Sequence, residues 1–236
     1  MTPLKYIAFL LLLVIAVPAS AETVLTVGTT GDYRPVTWLN KDTGRYEGTD
    51  IALITAFARD EGYSLRFVPT TWPTLMADLK AGHFMMAVGG ISKTEARTKA
   101  ALMSVPLAIT GKVALVRCGE ESQYDSLEAI DRAGVRVVEN PGGTNERFAR
   151  AHIRTATLTV TKDNHAPFAL LKAHKADVMF TDSLEAEYRQ RRREGLCAVR
   201  PDAPYTRVEK VFLFRKDQKA LRDRFNAWVK GPAPNR

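Results

Sequence analysis

The chain has 236 residues, of which 45% are apolar and 34 are lysine or arginine against 26 acids, with only two cysteines and four histidines. This composition excludes a disordered polypeptide and a disulfide-dense mini-protein, and it suffices for one large domain or two small lobes with real cores. The formal charge of +8 calls for a reading of where the chain works before it is assigned to a partner.

The N-terminus settles that. Lys5, the apolar run Tyr6–Val17 and the small-residue site Ala19-Ser20-Ala21 form the pattern of a cleavable secretory signal over residues 1–21. The apolar run is too short to span a bilayer, and no later stretch has the length or composition of a transmembrane helix. The mature chain is expected to start near Glu22, to work in the periplasm and to carry +7, because residues 1–21 hold Lys5 and no acid. An exported protein seldom meets nucleic acid, so the excess charge reads as a surface property or a bias toward anionic ligands. The basic run Arg189–Arg193 reads as the solvated end of a helix.

Apolar runs then alternate with amphipathic segments. A strand at Val24–Val27 leads into the glycine loop Gly28-Thr-Thr-Gly-Asp-Tyr33. A helix follows at Asp50–Glu61, with Ile51, Ile54, Thr55 and Ala58 on one face, then a strand at Ser64–Pro69 and a helix at Trp72–Ala81. Phe84–Val88 is a strand, Thr94–Ala101 a short helical turn and Lys112–Val116 a further strand. A second set starts with a helix at Ser126–Asp131, capped by Asp125 or Ser126, and a strand at Val135–Val138. It continues with a helix at Asn145–Ala151, a strand at Thr157–Val160, a helix at Pro167–His174, a strand at Val178–Phe180 and a helix at Ser183–Arg193. Val208–Phe214 returns as a strand and Gln218–Val229 closes as a helix. The alternation predicts an α/β protein with mostly parallel sheets, its ligand held at the strand ends between two lobes. The lobes are expected at 22–116 plus 207–236 and at 117–206. Cys118 and Cys197 each flank a β-like run, and export makes a structural disulfide between them the expected state.

Four features bear on chemistry. The loops Gly28–Tyr33 and Asn140-Pro-Gly-Gly-Thr-Asn145 each follow a strand, leaving backbone N–H groups that favour an anion; the second opens a helix. Arg97, in Gly90-Ile-Ser-Lys-Thr-Glu-Ala-Arg97, either clamps a carboxylate beside that turn or is a surface residue paired with Glu95. Asp182 and Glu185 follow the strand Val178–Phe180. Asp182 serves as a helix cap or a crevice group, and Glu185 complements the helix dipole or acts as a general acid in a dry pocket. Trp72 and Trp38 either stack on a ligand ring or belong to the core, and core is preferred for Trp38. His83, His152, His165 and His174 fall at no metal-binding spacing, and no Walker loop, Gly-x-Ser-x-Gly elbow or Rossmann fingerprint occurs.

Together, the signal sequence, Gly28–Tyr33, Gly48-Thr-Asp50, Gly90-Ile-Ser92 with Arg97, and Thr181-Asp182 resemble the periplasmic amino-acid-binding proteins of ABC importers, which have a type II two-lobed fold. More narrowly, Asn140-Pro-Gly-Gly-Thr-Asn-Glu146, Thr71-Trp-Pro73, Asp163-Asn164, Thr181-Asp182 with Glu185, and Leu196-Cys-Ala-Val199 resemble the periplasmic cyclohexadienyl dehydratases, built on the same fold. That resemblance implies conversion of prephenate to phenylpyruvate, and of arogenate to phenylalanine, with loss of water and carbon dioxide and with no cofactor or metal. It implies Glu185 as general acid, with Asp32 orienting the leaving group and Asn145 beside it as the third catalytic residue. Trp72, Gly90, Ser92, Arg97, Gly143, Thr144, Asn164 and Asp182 are the implied substrate-binding residues. Met85-Met86, Gly89 and His165 depart from the family pattern. A solute-binding protein delivering an amino acid or related anion to an importer is the other function these residues allow.

Overall fold

The computed structural model describes residues 23–231, so the expected signal segment lies outside the described residues. In chain order the strands and helices are β1 (Thr23–Thr29), β2 (Asp32–Tyr33), β3 (Thr37–Asn40), β4 (Arg45–Glu47), α1 (Thr49–Asp60), β5 (Tyr63–Pro69), α2 (Leu75–Ala81), β6 (Met86–Ser92), α3 (Glu95–Ala100), β7 (Leu102–Met103) and β8 (Ala108–Thr110). The second set is β9 (Lys112–Arg117), α4 (Leu127–Ile130), β10 (Arg136–Glu139), α5 (Thr144–His152), β11 (Thr157–Val160), α6 (Ala166–Lys172), β12 (Met179–Asp182), α7 (Ser183–Arg191) and β13 (Leu196–Ala198). The chain then returns through β14 (Val208–Phe214) and α8 (Lys219–Lys230).

A six-stranded sheet in the order β5-β1-β6-β14-β7, with β8 also on β14, forms the first lobe. Its apolar side chains build a core of Ile54, Phe57, Phe212, Phe214 and Phe225 on one face and of Leu75, Leu79, Phe84 and Ile91 on the other. In the second lobe, β12-β9-β13 form one sheet and β10-β11 another, linked by a bridge between Val137 and Val178. Its two faces bury Phe148 and Phe180 on one side and Phe168, Leu171 and Met179 on the other. The result is the two-lobed type II binding-protein fold. The sheets are more mixed than strand–helix alternation alone predicts. The βαβ pairs β1–β5, β1–β6 and β10–β11 are parallel, while β9 and β14, which carry the chain between lobes, run antiparallel to their neighbours.

Three expectations need correction. The strand Lys112–Arg117, expected with residues 22–116, pairs with β12 and β13 of the second set. The chain therefore crosses at Gly111, where a Cβ would overlap the Thr206 carbonyl of the returning segment. The first glycine loop, expected to leave backbone N–H groups for an anion, is largely taken into strands. Gly28 lies inside β1, and Asp32 and Tyr33 begin an antiparallel hairpin, β2-β3-β4, that the alternation rule does not see. Trp38 stands half-buried on that hairpin, under the Arg34 guanidinium at 3.8 Å and edge-on to His165, and is not core.

Local chemistry accounts for several boundaries. Helix α2 starts at Leu75, not Trp72, because Thr71 and Thr74 exchange side-chain and backbone hydrogen bonds in a turn just before it. On α1 the buried face is Ile51, Ile54, Phe57 and Ala58, while Thr55 is exposed and returns its hydroxyl to the Ile51 carbonyl. Of the two candidate caps for α4, Ser126 is the one used. Cys118 and Cys197 form the expected disulfide, joining the end of β9 to β13.

Candidate functional site

A cleft between the lobes is lined by Tyr33, Trp72, Gly90, Ser92, Arg97, Asn140, Gly143, Thr144, Asn145, Asn164, Asp182, Glu185 and Lys210. All ten residues other than Asp32 that the sequence nominated for catalysis or binding line it. β6 ends the first lobe's contribution at Ser92, and β12 ends the second lobe's at Asp182, so both open their carboxyl ends into one crevice.

Arg97 is 6% exposed and donates to the Ser92 carbonyl at 2.7 Å. The surface pairing with Glu95 does not form, since Glu95 is taken by Lys99. Burial draws the Arg97 guanidinium down to about 10, helped by the nearby charge of Arg147 and opposed by Asp182. Gly90 was expected to offer its N–H to the same anion. It donates to Asp50 instead, at 2.8 Å, as does Gly89 at 3.1 Å. Asp50 thus holds the turn in place while burial raises its own carboxyl to about 6.

Across the cleft, α5 begins at Thr144, after Gly143, with no side-chain cap. Thr144 and Asn145 of its first turn line the cleft, and the free N–H groups of such a helix end favour an anion. Gly142 (φ 73°) shapes this turn, and any Cβ there would strike Pro73 of the opposite lobe. Asn145 is fixed at both ends: its Oδ1 accepts from Lys112, and its Nδ2 donates to Asn140 at 3.0 Å.

Asp182 and Glu185 are both buried, at 5% and 2% exposure. Asp182 accepts from Lys112 at 2.8 Å on one oxygen, and from Lys210 at 2.6 Å and Tyr33 at 2.9 Å on the other. Burial alone would raise this carboxyl, but the two lysines outweigh it and hold it far below the usual carboxylate range. Glu185 accepts from Arg189 at 2.9 Å and from Thr181 at 2.8 Å. Here burial prevails over Arg189 and Thr181, and with Asp182 nearby it lifts the carboxyl above the glutamate norm.

Asp32 does not line the cleft. Its carboxylate accepts from the Trp72 indole at 3.2 Å and its carbonyl from Asn164 at 3.0 Å, so it braces two cleft residues from behind. Burial raises its carboxyl against the pull of Thr30 and His165. Arg189, read from sequence as solvated, is buried against Glu185, Glu194 and the face of Phe168; only the rest of its basic run is exposed.

Sequence reasoning missed Lys112, Lys210 and Asn140 and left Tyr33 without a role. A signal for the lysines was present: each directly precedes a run of four apolar residues in its strand, where burial requires a partner. Among the described residues the cluster of potential metal ligands is Cys118, Glu121 and Cys197, and its cysteines are consumed by the disulfide.

Comparison with known proteins agrees with this architecture. The model of the bacterial extracellular solute-binding proteins, family 3, matches residues 25–231. Cyclohexadienyl dehydratase of Pseudomonas aeruginosa is 39% identical over 206 residues, 87% of this chain and 76% of that one. The L-cystine-binding protein of Escherichia coli is 24% identical, over 84% of this chain and 73% of that one. The crystal structure of an ancestral amino-acid-binding protein, described as a precursor of cyclohexadienyl dehydratase, superposes with a TM-score of 0.80 at 30% identity, covering 88% of each chain. The chain belongs to family 3 of the bacterial extracellular solute-binding proteins.

Proposed function

Within that family, we propose that this chain is a periplasmic cyclohexadienyl dehydratase that converts prephenate to phenylpyruvate, with arogenate to phenylalanine as the parallel reaction. The observation that carries the reading is Glu185, a buried carboxyl on the cleft wall whose surroundings favour its protonated form. A protein that only binds a solute has no need of such an acid. The likeness to the Pseudomonas aeruginosa enzyme supports the same reading.

Prephenate is a dianion whose ring aromatises once the C4 hydroxyl leaves as water. Glu185 gives its proton to that hydroxyl and the C–O bond breaks. The electron pair of the bond to the C1 carboxylate moves into the ring, and carbon dioxide departs. The carboxylate left on Glu185 is already hydrogen-bonded to Arg189 and Thr181, which stabilise it until it is reprotonated from solvent. Arg97 takes one substrate carboxylate, and the open end of α5, with Asn145 held by Lys112, takes the other end of the anion. Trp72 walls the ring, and Asp32 acts through Trp72 and Asn164, not on the leaving group directly. On this reading the cleft lies between lobes of roughly 23–110 plus 207–231 and 111–206, and residues 1–21 direct export to the periplasm.

The test is an assay of purified mature protein with prephenate, following phenylpyruvate by its absorbance in alkali. Turnover that is lost in Glu185→Gln is the expected result. An inactive wild type that binds amino acids in a thermal-shift screen replaces this reading with an importer's solute-binding protein, the alternative that the likeness to the L-cystine-binding protein supports.

A further inference from the structure

Glu139 ends β10 wholly buried, next to the cleft residue Asn140, and the proposed dehydration does not use it. β10 and β12 run side by side only briefly. At their bridge the Val138 amide donates to the Val178 carbonyl at 2.9 Å, and the Val178 amide to the Arg136 carbonyl at 3.3 Å. A continuing parallel ladder would offer the Val138 carbonyl to the next amide on that side of β12, at Phe180. That amide donates instead to Glu139 Oε1, at 2.7 Å. The Glu139 carbonyl meanwhile accepts from Thr161, from its N–H at 2.8 Å and its hydroxyl at 3.1 Å, which keeps the backbone beside β11. The side chain thus replaces a ladder bond at the point where the strands part and the crevice opens.

Both strands deliver cleft groups one residue beyond this tie. After Glu139 comes Asn140, whose Oδ1 accepts from Asn145 Nδ2 at 3.0 Å. After Phe180 comes Thr181, whose hydroxyl donates to Glu185 at 2.8 Å. A carboxyl is a costly choice for the acceptor between them. Glu139 Oε2 is buried with no hydrogen-bond partner among the described residues, where a charge would be unsolvated. Burial lifts this carboxyl well above the glutamate norm against the pull of the Phe180 amide and Lys112, and Glu146 and Glu185 add to the rise. Those charged groups come from β9, α5 and α7. In its neutral form the side chain still accepts from Phe180 and adds no charge beside Glu185. An apolar residue in its place would strand the Phe180 amide.

We propose that Glu139 is a positioning residue: by tying β12 to the end of β10, it holds Asn140 and Asn145 at the distance from Thr181 and Glu185 that proton transfer to a bound substrate requires. It touches no substrate and works through those four residues. The inference rests on the dehydratase reading for its turnover readout, and on the fold alone for its spectroscopic one.

The experiment compares the mature protein with Glu139→Gln, Glu139→Leu and Glu139→Asp. It measures prephenate kinetics across pH, and NMR signals of the Phe180 backbone amide and the Asn145 side-chain amide. In the wild type the Phe180 amide is expected to exchange slowly and to show no titration step in the ordinary glutamate window. Glu139→Gln keeps the acceptor without a charge, so kcat stays within about twofold and the Asn145 signal does not move. Glu139→Leu removes the acceptor: Phe180 exchange accelerates, the Asn145 signal shifts and kcat falls about tenfold, the order of one lost hydrogen bond in the transition state. The falling limb of turnover moves to higher pH as Thr181 loses its hold on Glu185. Glu139→Asp, a methylene short of Phe180, behaves as Glu139→Leu does and answers the question where the apolar variant does not fold. A merely structural Glu139 lowers the denaturation midpoint in both variants but leaves kcat and the pH limb unmoved, which overturns the proposal. A fast-exchanging Phe180 amide in the wild type overturns it too, as does a Glu139→Gln enzyme as impaired as Glu139→Leu. If the wild type turns over neither prephenate nor arogenate, the dehydratase reading fails, and the Phe180 and Asn145 signals alone decide whether Glu139 positions the cleft.

Discussion

Asp182 and Glu185 stand three residues apart at one wall of the cleft, both almost wholly buried, and their protons behave in opposite ways. Burial penalises either carboxylate; the count of cations decides the outcome. Asp182 ends β12, where lysines from two sheets converge on it, and ionises readily. Glu185 sits one helical turn on, with one arginine, one hydroxyl and the negative charge of Asp182 for company, and burial wins. One short segment thus holds a permanent anion that joins the lobes and, a turn later, a carboxyl inclined to keep its proton.

Substitutions that remove one charge at a time break this comparison most sharply. Glu185→Gln is expected to lower turnover by about 10²–10⁴-fold, the usual worth of a positioned proton donor. Its affinity for prephenate and its stability stay within about 1 kcal/mol of wild type, because the amide mimics the neutral acid. Rapid-quench turnover beside calorimetric binding checks this, and near-wild-type turnover removes Glu185 from the chemistry. Asp182→Asn does the reverse. It strands two buried ammonium groups and should cost about 3–5 kcal/mol of stability by urea denaturation; a loss below about 1 kcal/mol would mean the triad is solvated. Arg97→Ala, which leaves both carboxyls in place, should weaken prephenate binding by about 2–4 kcal/mol without altering the pH profile.

The pH dependence sharpens the same contrast. Glu185 has a raised pKa, so turnover is full at low pH and falls as pH rises through a value above the ordinary glutamate range. Its stability term has the same sign: present below the unfolded pKa and lost as pH rises through the folded one. Asp182 has a depressed pKa, so its contribution is present in full above the unfolded pKa and is lost progressively as pH falls from there through the much lower folded pKa. Acid titration of stability should therefore show the Asp182 contribution beginning to decline in the ordinary carboxylate window, where the unfolded chain takes up its proton, and persisting in large part below it. Denaturation midpoints of wild type and Asp182→Asn that converge near pH 4 would contradict this.

Most of the architecture was legible because βαβ periodicity and chain order are written locally. The two glycine loops show where that legibility ends. Gly28–Tyr33 and Asn140–Asn145 look alike in sequence, yet only the second opens a helix onto the cleft. The first turns into a hairpin, pairing Asp32 with Trp38 and Tyr33 with Thr37, whose strands of two and four residues are too short to show an alternating pattern. Of the nominated side chains that line the cleft, Arg97, Asp182 and Glu185 were read from their place after strand ends, where a crevice forms, and the others from the family resemblance. Lys112 and Lys210 escaped because their meaning is a long-range pairing through Asp182, separated from them by 70 and 28 positions. Asp32 was misplaced for a related reason: its partner Trp72 is 40 positions away, and their hydrogen bond takes it off the cleft wall.

The finest test of the contrast leaves both carboxyls untouched. Thr181 donates a hydrogen bond to Glu185 at 2.8 Å and is itself fully buried at the end of β12. That hydroxyl, like Arg189, favours the ionised form and holds the Glu185 pKa lower than burial alone would set it. Thr181→Val keeps the shape and removes the donor, while Arg189 still fixes the carboxyl's orientation through its other oxygen. A lost hydrogen bond of about 1 kcal/mol corresponds to an upward move of roughly half to one pH unit in the falling limb of turnover. Plateau turnover should change by a small factor only, since the acid is still present and the Asp182 triad is not touched. A limb that stays in place would mean that the proton lost along it is not the one on Glu185, even if Glu185→Gln is inactive.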